Sequence, residues 1–153
     1  MKNNKGFSLV ELIIVIAIMA ILVGVMAPQL IKYIEKSKVS ADTQAADSVH
    51  SAMLTAMMDP EVVNKSAYNA NFSSYQTAKS VSDFGTGDTD PIGSAALEIL
   101  GYTTSISSAT ELLKSTGATD IQVQIVGNNK VSAWVLGSDS RGSKSGSPAI
   151  VVE

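Results

Sequence analysis

The sequence predicts an α+β protein in which one long N-terminal α-helix packs on a small antiparallel β-sheet. Three observations predict this fold: an apolar run from Leu12 to Ala27, a helical spacing of apolar residues after Pro28, and alternating apolar residues near the C-terminus. A chain of 153 residues suits one domain, and the part outside the apolar run can bury only a modest core.

These patterns divide the chain into five segments. Residues 1–6 precede the long helix. Residues 7–28 form its apolar first half, long enough to span a membrane, and residues 29–58 form its amphipathic second half. A loop region with short helices covers residues 59–119, and the sheet with the C-terminal region covers residues 120–153.

Glu11 places one carboxylate at the start of the apolar run. A charged residue at the centre of a spanning helix costs roughly 2.5–3.5 kcal/mol, and less near an end. A carboxylate in this place therefore indicates a partner that neutralises it.

Two ordinary membrane segments share part of this pattern. A secretory signal peptide has a basic start, an apolar stretch and a small-residue cleavage site. Here Glu11 interrupts the start and Pro28 follows the one suitable site, Val25-Met26-Ala27. A plain signal anchor accounts for membrane insertion but leaves Glu11 unexplained.

The N-terminal motif closely resembles the class III signal of type IV pilins and their pseudopilin relatives. The resemblance covers roughly residues 1–35 and is carried by Lys5-Gly6, then Phe7-Ser8-Leu9-Val10-Glu11, then the apolar run. It implies that residues 1–6 are a leader peptide, that a prepilin peptidase cuts after Gly6 and methylates Phe7, and that Glu11 pairs with a neighbouring subunit.

The resemblance also implies a fold, a function and partners. The expected fold is the pilin fold, and the expected function is a structural subunit, of the major kind, of a type IV pilus that serves adhesion, motility, aggregation or DNA uptake. The alternative is a pseudopilin of a type II secretion or competence system. The implied partners are further copies of the chain in a helical homopolymer, the prepilin peptidase, the assembly platform with its ATPase, and minor pilins.

The same resemblance implies a location. The precursor would be a single-pass membrane protein with a cytoplasmic N-terminus, and the mature form would lie in an extracellular pilus. Lys2 and Lys5 support this orientation, but Lys32, Lys36 and Lys38 on the other side make the charge bias weak.

Gly24 and Pro28 lie within one turn of each other, and the family has a proline at the position of Pro28. Proline removes a backbone donor and crowds the carbonyl four residues back, so a kink or local melting is expected here. Alternatively, Pro28 begins a second helix.

The long helix should end near Met58, because Asp59-Pro60 offers an N-cap and a first-turn proline for a separate turn. The stretch from Val63 to Gly93 is rich in Asn, Ser, Asp, Thr and Gly. It predicts a long loop with one short element around Tyr75 to Phe84.

Three carboxylates in this loop, Asp83, Asp88 and Asp90, lie close to Gly85 and Gly87. Carboxylate oxygens beside flexible glycines are a weak candidate for a calcium site. The spacing does not match an EF-hand loop, which favours solvated turn residues.

Two short helices and a hairpin follow. The helices are predicted over Gly93–Leu100 and Ala109–Ser115, the second opened by a Ser108-x-x-Glu111 capping box and closed by Gly117. Alternating apolar residues on both sides of a turn at residues 127–130 predict a β-hairpin with one buried face: Ile121, Val123, Ile125, Val131, Ala133 and Val135. A Ser/Gly-rich loop leads to a third strand at residues 149–152, which completes a three-stranded sheet.

Composition argues against several function classes. There is no cysteine, so disulfides and zinc–cysteine sites are excluded; many Gram-negative pilins close their C-terminal region with a disulfide. The net charge of −3 gives no broad footprint for nucleic acid, although DNA uptake leaves nucleic acid open as a partner.

No phosphate loop or paired-carboxylate motif stands out, and the single histidine, His50, lies on the predicted long helix. We therefore expect no enzymatic activity and no cofactor, and a membrane-anchored enzyme lacks a site.

Overall fold

The computed structural model describes residues 7–107, 111–127, 130–137 and 148–152. The chain divides into two compact units, Met1–Ser37 and Lys38–Glu153. The second unit, residues 38–153, is called the head below.

The long helix α1 runs from Leu9 to Met58, which confirms the predicted helix and its end. It passes through Gly24 and Pro28 as α-helix, so the alternative in which Pro28 begins a second helix is wrong, and the turn at Pro28 is not melted in the free chain. A kink or melting at this point in an assembled state stays a prediction.

Within the first unit, α1 buries almost nothing. Its large apolar side chains from Leu9 to Ile34 are between 47% and 73% exposed. An apolar surface of this extent is unusual for a soluble monomer and indicates a membrane or a protein partner.

Within the head, α1 buries one face at the helical spacing of threes and fours. The buried apolar residues are Ala46, Val49, Ala52, Met53, Ala56 and Met57. They join the core of the head, which confirms the amphipathic second half of the helix.

The segment after α1 contains more regular structure than predicted. Helix α2, Pro60–Val63, has Asp59 as its N-cap, and the Asp59 side chain accepts from the Glu61 backbone N–H at 2.8 Å. Helix α3, Tyr68–Ser74, was predicted as loop, because its polar sequence has no clear apolar period.

Strand β1, Lys79–Ser80, and a 3₁₀ turn, Val81–Asp83, lie in the interval predicted to hold one short element. Helix α4, Pro91–Ile99, corresponds to the predicted helix Gly93–Leu100 but begins two residues earlier, with Asp90 as its N-cap.

The predicted helix Ala109–Ser115 is wrong in its described part. Residues 111–115 are not α-helical, and the backbone N–H groups of Lys114 and Ser115 donate to the carboxylate of Asp42 on α1. A carboxylate from a distant part of the chain thus takes donors that an α-helix would have used. Ser108 of the predicted capping box lies outside the described residues.

The sheet is antiparallel with strand order β1-β2-β3-β4, where β2 is Ala118–Val126, β3 is Lys130–Gly137 and β4 is Pro148–Val152. The hairpin is confirmed, with Ile121 opposite Val135 and Ile125 opposite Val131. Strand β4 confirms the third strand, and β1 adds a short fourth strand at the edge of β2.

The inward face of the hairpin is buried as predicted. Its six side chains are at most 1% exposed: Ile121, Val123, Ile125, Val131, Ala133 and Val135. Gly127 begins the turn with φ of 69°, a conformation that favours glycine, and turn residues 128–129 lie outside the described residues, as do loop residues 138–147.

Candidate functional site

The first turn of α1 carries the sequence-predicted site. Phe7 precedes the helix and is 86% exposed, while Ser8 and Glu11 have the spacing of a capping box. The Ser8 backbone N–H donates to Glu11 Oε2 at 2.9 Å, and Leu12 N–H donates to the Ser8 carbonyl at 3.3 Å. Glu11 therefore helps to begin α1, a role that Ser8-x-x-Glu11 signals in the sequence and that our sequence analysis missed.

Glu11 keeps capacity for a further partner. Among the described residues, Ser8 is its one hydrogen-bond donor, whereas a carboxylate has about four acceptor positions. The side chain is exposed and stands next to exposed apolar residues. It can accept a cation without breaking its own helix cap.

The other predicted residues of this segment are placed as follows. Gly6 lies outside the described residues, so the structure shows no geometry for the Gly6–Phe7 bond. Gly24 and Pro28 lie within α1, and a Cβ added at Gly24 would meet nothing within 4 Å. Within the described part of the chain, α1 contains the one segment long and apolar enough to cross a membrane, a test that a signal sequence would also pass.

A second cluster of polar groups lies in the head, around Asp90, and was not predicted. The Asp90 carboxylate is 5% exposed and takes donors from five positions: Asn71 Nδ2 at 2.7 Å, Tyr75 Oη at 3.0 Å, Lys79 Nζ at 2.8 Å, Gly85 N at 2.8 Å and Gly93 N at 2.9 Å. We call these six residues the Asp90 cluster. It joins α3, β1, the turn after it and the start of α4.

Interactions within the Asp90 cluster favour the ionised Asp90 carboxylate, which forms an ion pair with Lys79. Burial acts to raise the pKa of Asp90, but the Lys79 ammonium, the backbone N–H groups of Gly85 and Gly93 and the Asn71 amide outweigh it and hold the pKa below 3.8. Burial, and then the Asp90 charge, raise the pKa of the Tyr75 hydroxyl, so this group stays a neutral donor.

Two glycines fit closely against the carboxylate. A Cβ at Gly93 would lie 2.5 Å from Tyr75 Oη and 2.7 Å from Asp90 Oδ2, and a Cβ at Gly85 would lie 2.6 Å from Asp90 Cβ. Real Cβ atoms do not approach that closely, so the cluster requires glycine at both positions. The Asp90 cluster therefore holds separate segments of the head together.

The structure places the three carboxylates of the weak calcium candidate in different surroundings. Asp90 uses its oxygens for the cluster, and Asp88 forms an exposed ion pair with Lys65 at 2.7 Å. In the parts of the chain that the structure describes, no group of three or more His, Asp or Glu side chains could hold a metal ion. The three carboxylates, Asp83 included, are thus not gathered around one point.

Asp42 is a second buried carboxylate of the head, and it is fully buried. It accepts from Lys114 N at 2.6 Å, from Ser115 N at 3.2 Å and from the Ser115 hydroxyl. It fastens the segment before β2 to α1.

An exposed apolar helix joined to an α+β head, with one carboxylate in the first turn of the helix, is a pilin-like architecture. The comparisons agree with it: residues 1–27 match the prokaryotic N-terminal methylation motif. The chain is 29% identical over 142 residues to the type IV wide pilus major component PilA4 of Thermus thermophilus, an alignment covering 93% of this chain and 87% of that protein.

Two further relatives are type IV major fimbrial proteins FimA of Dichelobacter nodosus. Each is 40% identical over 56 residues, or 37% of this chain, and the alignments cover 36% and 35% of those proteins. The chain thus spans about a third of the length of these two relatives. No solved structure matches the chain. The motif and these relatives confirm the resemblance to type IV pilins.

Proposed function

We propose that the chain is a structural subunit, of the major kind, of a type IV pilus. The observation that carries the proposal is Glu11, a carboxylate with spare acceptor capacity in the first turn of an exposed apolar helix, within a methylation motif. Similarity along most of the chain to a pilus major component supports the major kind over a pseudopilin.

Processing would come first. A prepilin peptidase would hydrolyse the Gly6–Phe7 peptide bond, leaving residues 1–6 as a free leader and Phe7 with a new α-amine that is then methylated. Phe7 lies before α1 and is exposed, which is what access by an enzyme needs. The methylated amine keeps its positive charge.

Assembly would use that charge. The Phe7 amine of one subunit would approach Glu11 of its neighbour as the apolar helices pack in the filament core. Away from water, the pair neutralises a carboxylate that would otherwise be buried alone, and breaking such a pair costs about 3–5 kcal/mol. Because the partners lie at fixed places on two helices, the pair also sets the axial register.

The remaining parts of the proposal follow from this assembly. Before processing, the chain would be a single-pass membrane protein with its N-terminus in the cytoplasm, and afterwards it would lie in a surface filament. Its partners would be copies of itself, the assembly platform with its ATPase, and minor pilins. Adhesion, motility, aggregation and DNA uptake are the roles that such a filament would serve.

Mass spectrometry of filaments sheared from the cell surface tests the proposal. We expect an abundant peptide that begins at N-methylated Phe7. Processed protein found in membranes alone would indicate a pseudopilin, and intact residues 1–6 in the mature protein would contradict the motif assignment. As a control on the cleavage site, Gly6→Asp should leave the precursor unprocessed in the membrane.

A further inference from the structure

The stretch of α1 just beyond the apolar run carries a polar, basic face. Gln29, Lys32, Tyr33 and Lys36 line a shallow cavity of about 200 Å³. Their spacing of three and four residues places them on one side of the helix. All four side chains are exposed, with Tyr33 at 68%. We call this surface the basic face.

The charge of the basic face is not neutralised within the described part of the chain. Neither Lys32 nor Lys36 forms a salt bridge among the described residues. No Asp or Glu occurs between residues 12 and 34. Glu35 lies three residues after Lys32, but it forms no salt bridge with Lys32 among the described residues. Two ammonium groups one turn apart therefore face outward together.

The length of α1 places this face at a definite depth in a membrane. Twenty uncharged residues, 12–31, separate Glu11 from Lys32, and the helix is continuous between them. At 1.5 Å per residue the two charges lie about 31 Å apart, which equals the thickness of the hydrocarbon core, about 30 Å. With Glu11 at one boundary, Lys32 reaches the other, and Lys36 lies about 6 Å further, among the headgroups.

We infer that the basic face binds the phosphate of an anionic phospholipid headgroup while the chain is in the membrane. Ammonium groups at headgroup depth attract anionic lipid, a tyrosine is favoured at the interface, and the Gln29 amide can donate to phosphate oxygens. The inference rests on the membrane-inserted precursor of the proposed function. An acidic protein surface, such as one on a second copy, is the competing occupant.

Electron spin resonance of the full-length precursor, reconstituted in phosphatidylcholine vesicles, tests this inference. Spin-labelled phosphatidylglycerol and spin-labelled phosphatidylcholine are compared, and the motionally restricted fraction of each reports its association with the protein. The test variant is Lys32→Gln/Lys36→Gln. The matched control is Lys114→Gln/Lys130→Gln, which removes the same charge from two exposed positions of the head.

We expect the wild-type chain to prefer phosphatidylglycerol, and each lysine removed from the basic face to lower that preference by up to about fivefold. The control should keep the preference. An unchanged preference in the test variant, or an equal loss in both variants, would overturn the inference. Loss of filaments in the test variant with an unchanged lipid preference would overturn it too and would favour the protein surface.

The experiment distinguishes a failure of this inference from a failure of the proposed function. A chain that does not insert into vesicles contradicts both. A lipid preference that depends on Lys32 and Lys36, in a chain that forms no filament, supports the inference while the pilus assignment fails.

Discussion

Glu11 and Asp90 are both carboxylates near the N-terminus of a helix, but Glu11 is exposed and Asp90 is buried. Glu11 is exposed on an apolar helix and accepts one backbone N–H. Asp90 is 5% exposed in the head and accepts from five positions of its own chain. The head supplies five donors for its buried carboxylate, and the first unit supplies one for its exposed carboxylate.

The apolar residues show the same contrast. The part of α1 in the head buries Val49 and Met53 completely, whereas the part in the first unit leaves every large apolar side chain from Leu9 to Ile34 at least 47% exposed. A chain with such an exposed surface depends on an outside partner for its burial. The head thus buries its apolar residues within the chain, whereas those of the first unit stay exposed, as a surface for a membrane or a protein partner would.

The substitution with the largest expected effect removes the Glu11 carboxylate. We expect Glu11→Val to leave insertion into the membrane intact, since it adds an apolar side chain, but to reduce surface filaments at least tenfold, because the Phe7 amine loses its partner. Filament yield by electron microscopy measures this. Glu98→Val, at an exposed position of the head, is the matched control, and normal filament yield from Glu11→Val would contradict the assembly mechanism.

Asp90→Ala tests the other side of the contrast. The change leaves the Lys79 ammonium, a tyrosine hydroxyl, an amide and two backbone N–H groups without their acceptor, so the free energy of unfolding should fall by about 3–5 kcal/mol. Urea unfolding of the detergent-solubilised full chain, followed by fluorescence of the single tryptophan, Trp134, measures this in the head. Asp88→Ala, which breaks an exposed pair, should change little, and equal effects would show that the cluster is not special.

Gly93→Ala separates close packing from charge. The new Cβ would overlap Tyr75 Oη and Asp90 Oδ2, and we expect a loss of about 1–3 kcal/mol in the free energy of unfolding by the same measurement. Gly24→Ala is the matched control, because its Cβ meets nothing within 4 Å and it lies in the first unit. If Gly93→Ala leaves stability unchanged, the cluster is looser than its distances indicate.

Acid should weaken the head through Asp90. The pKa of this group in the folded chain is below its ordinary 3.8, so its contribution is present above pH 3.8 and is lost as pH falls through the folded pKa. The free energy of unfolding should therefore decline as the pH falls from about 5 through 3.8 and below. In the Asp90→Asn variant the free energy of unfolding should decline less steeply with falling pH than in the wild-type chain. An identical slope in the two proteins would show that Asp90 is not a source of the acid sensitivity.

Sequence and structure agree best where a pattern is local. The long helix ends at Met58 beside the Asp59-Pro60 signal, and the hairpin buries the six alternating residues that predicted it. The predictions that the structure contradicts concern other segments. Helix α3 has a polar sequence without a clear period. Residues 111–115 lose their predicted helix because Lys114 and Ser115 donate to Asp42, which is more than 70 positions away from both.

The sequence alone determined the apolar helix, the motif around Glu11, the amphipathic half of α1 and the hairpin, because apolar periodicity and capping act over a few neighbouring residues. The tertiary structure alone decided strand β1, the Asp90 cluster and the use of Asp42. These depend on donors brought together from separate segments, and hydrogen bonds of that range leave no periodic trace in the sequence. The partner of Asp90 lies within the chain, and that of Glu11 is proposed to lie in the next subunit.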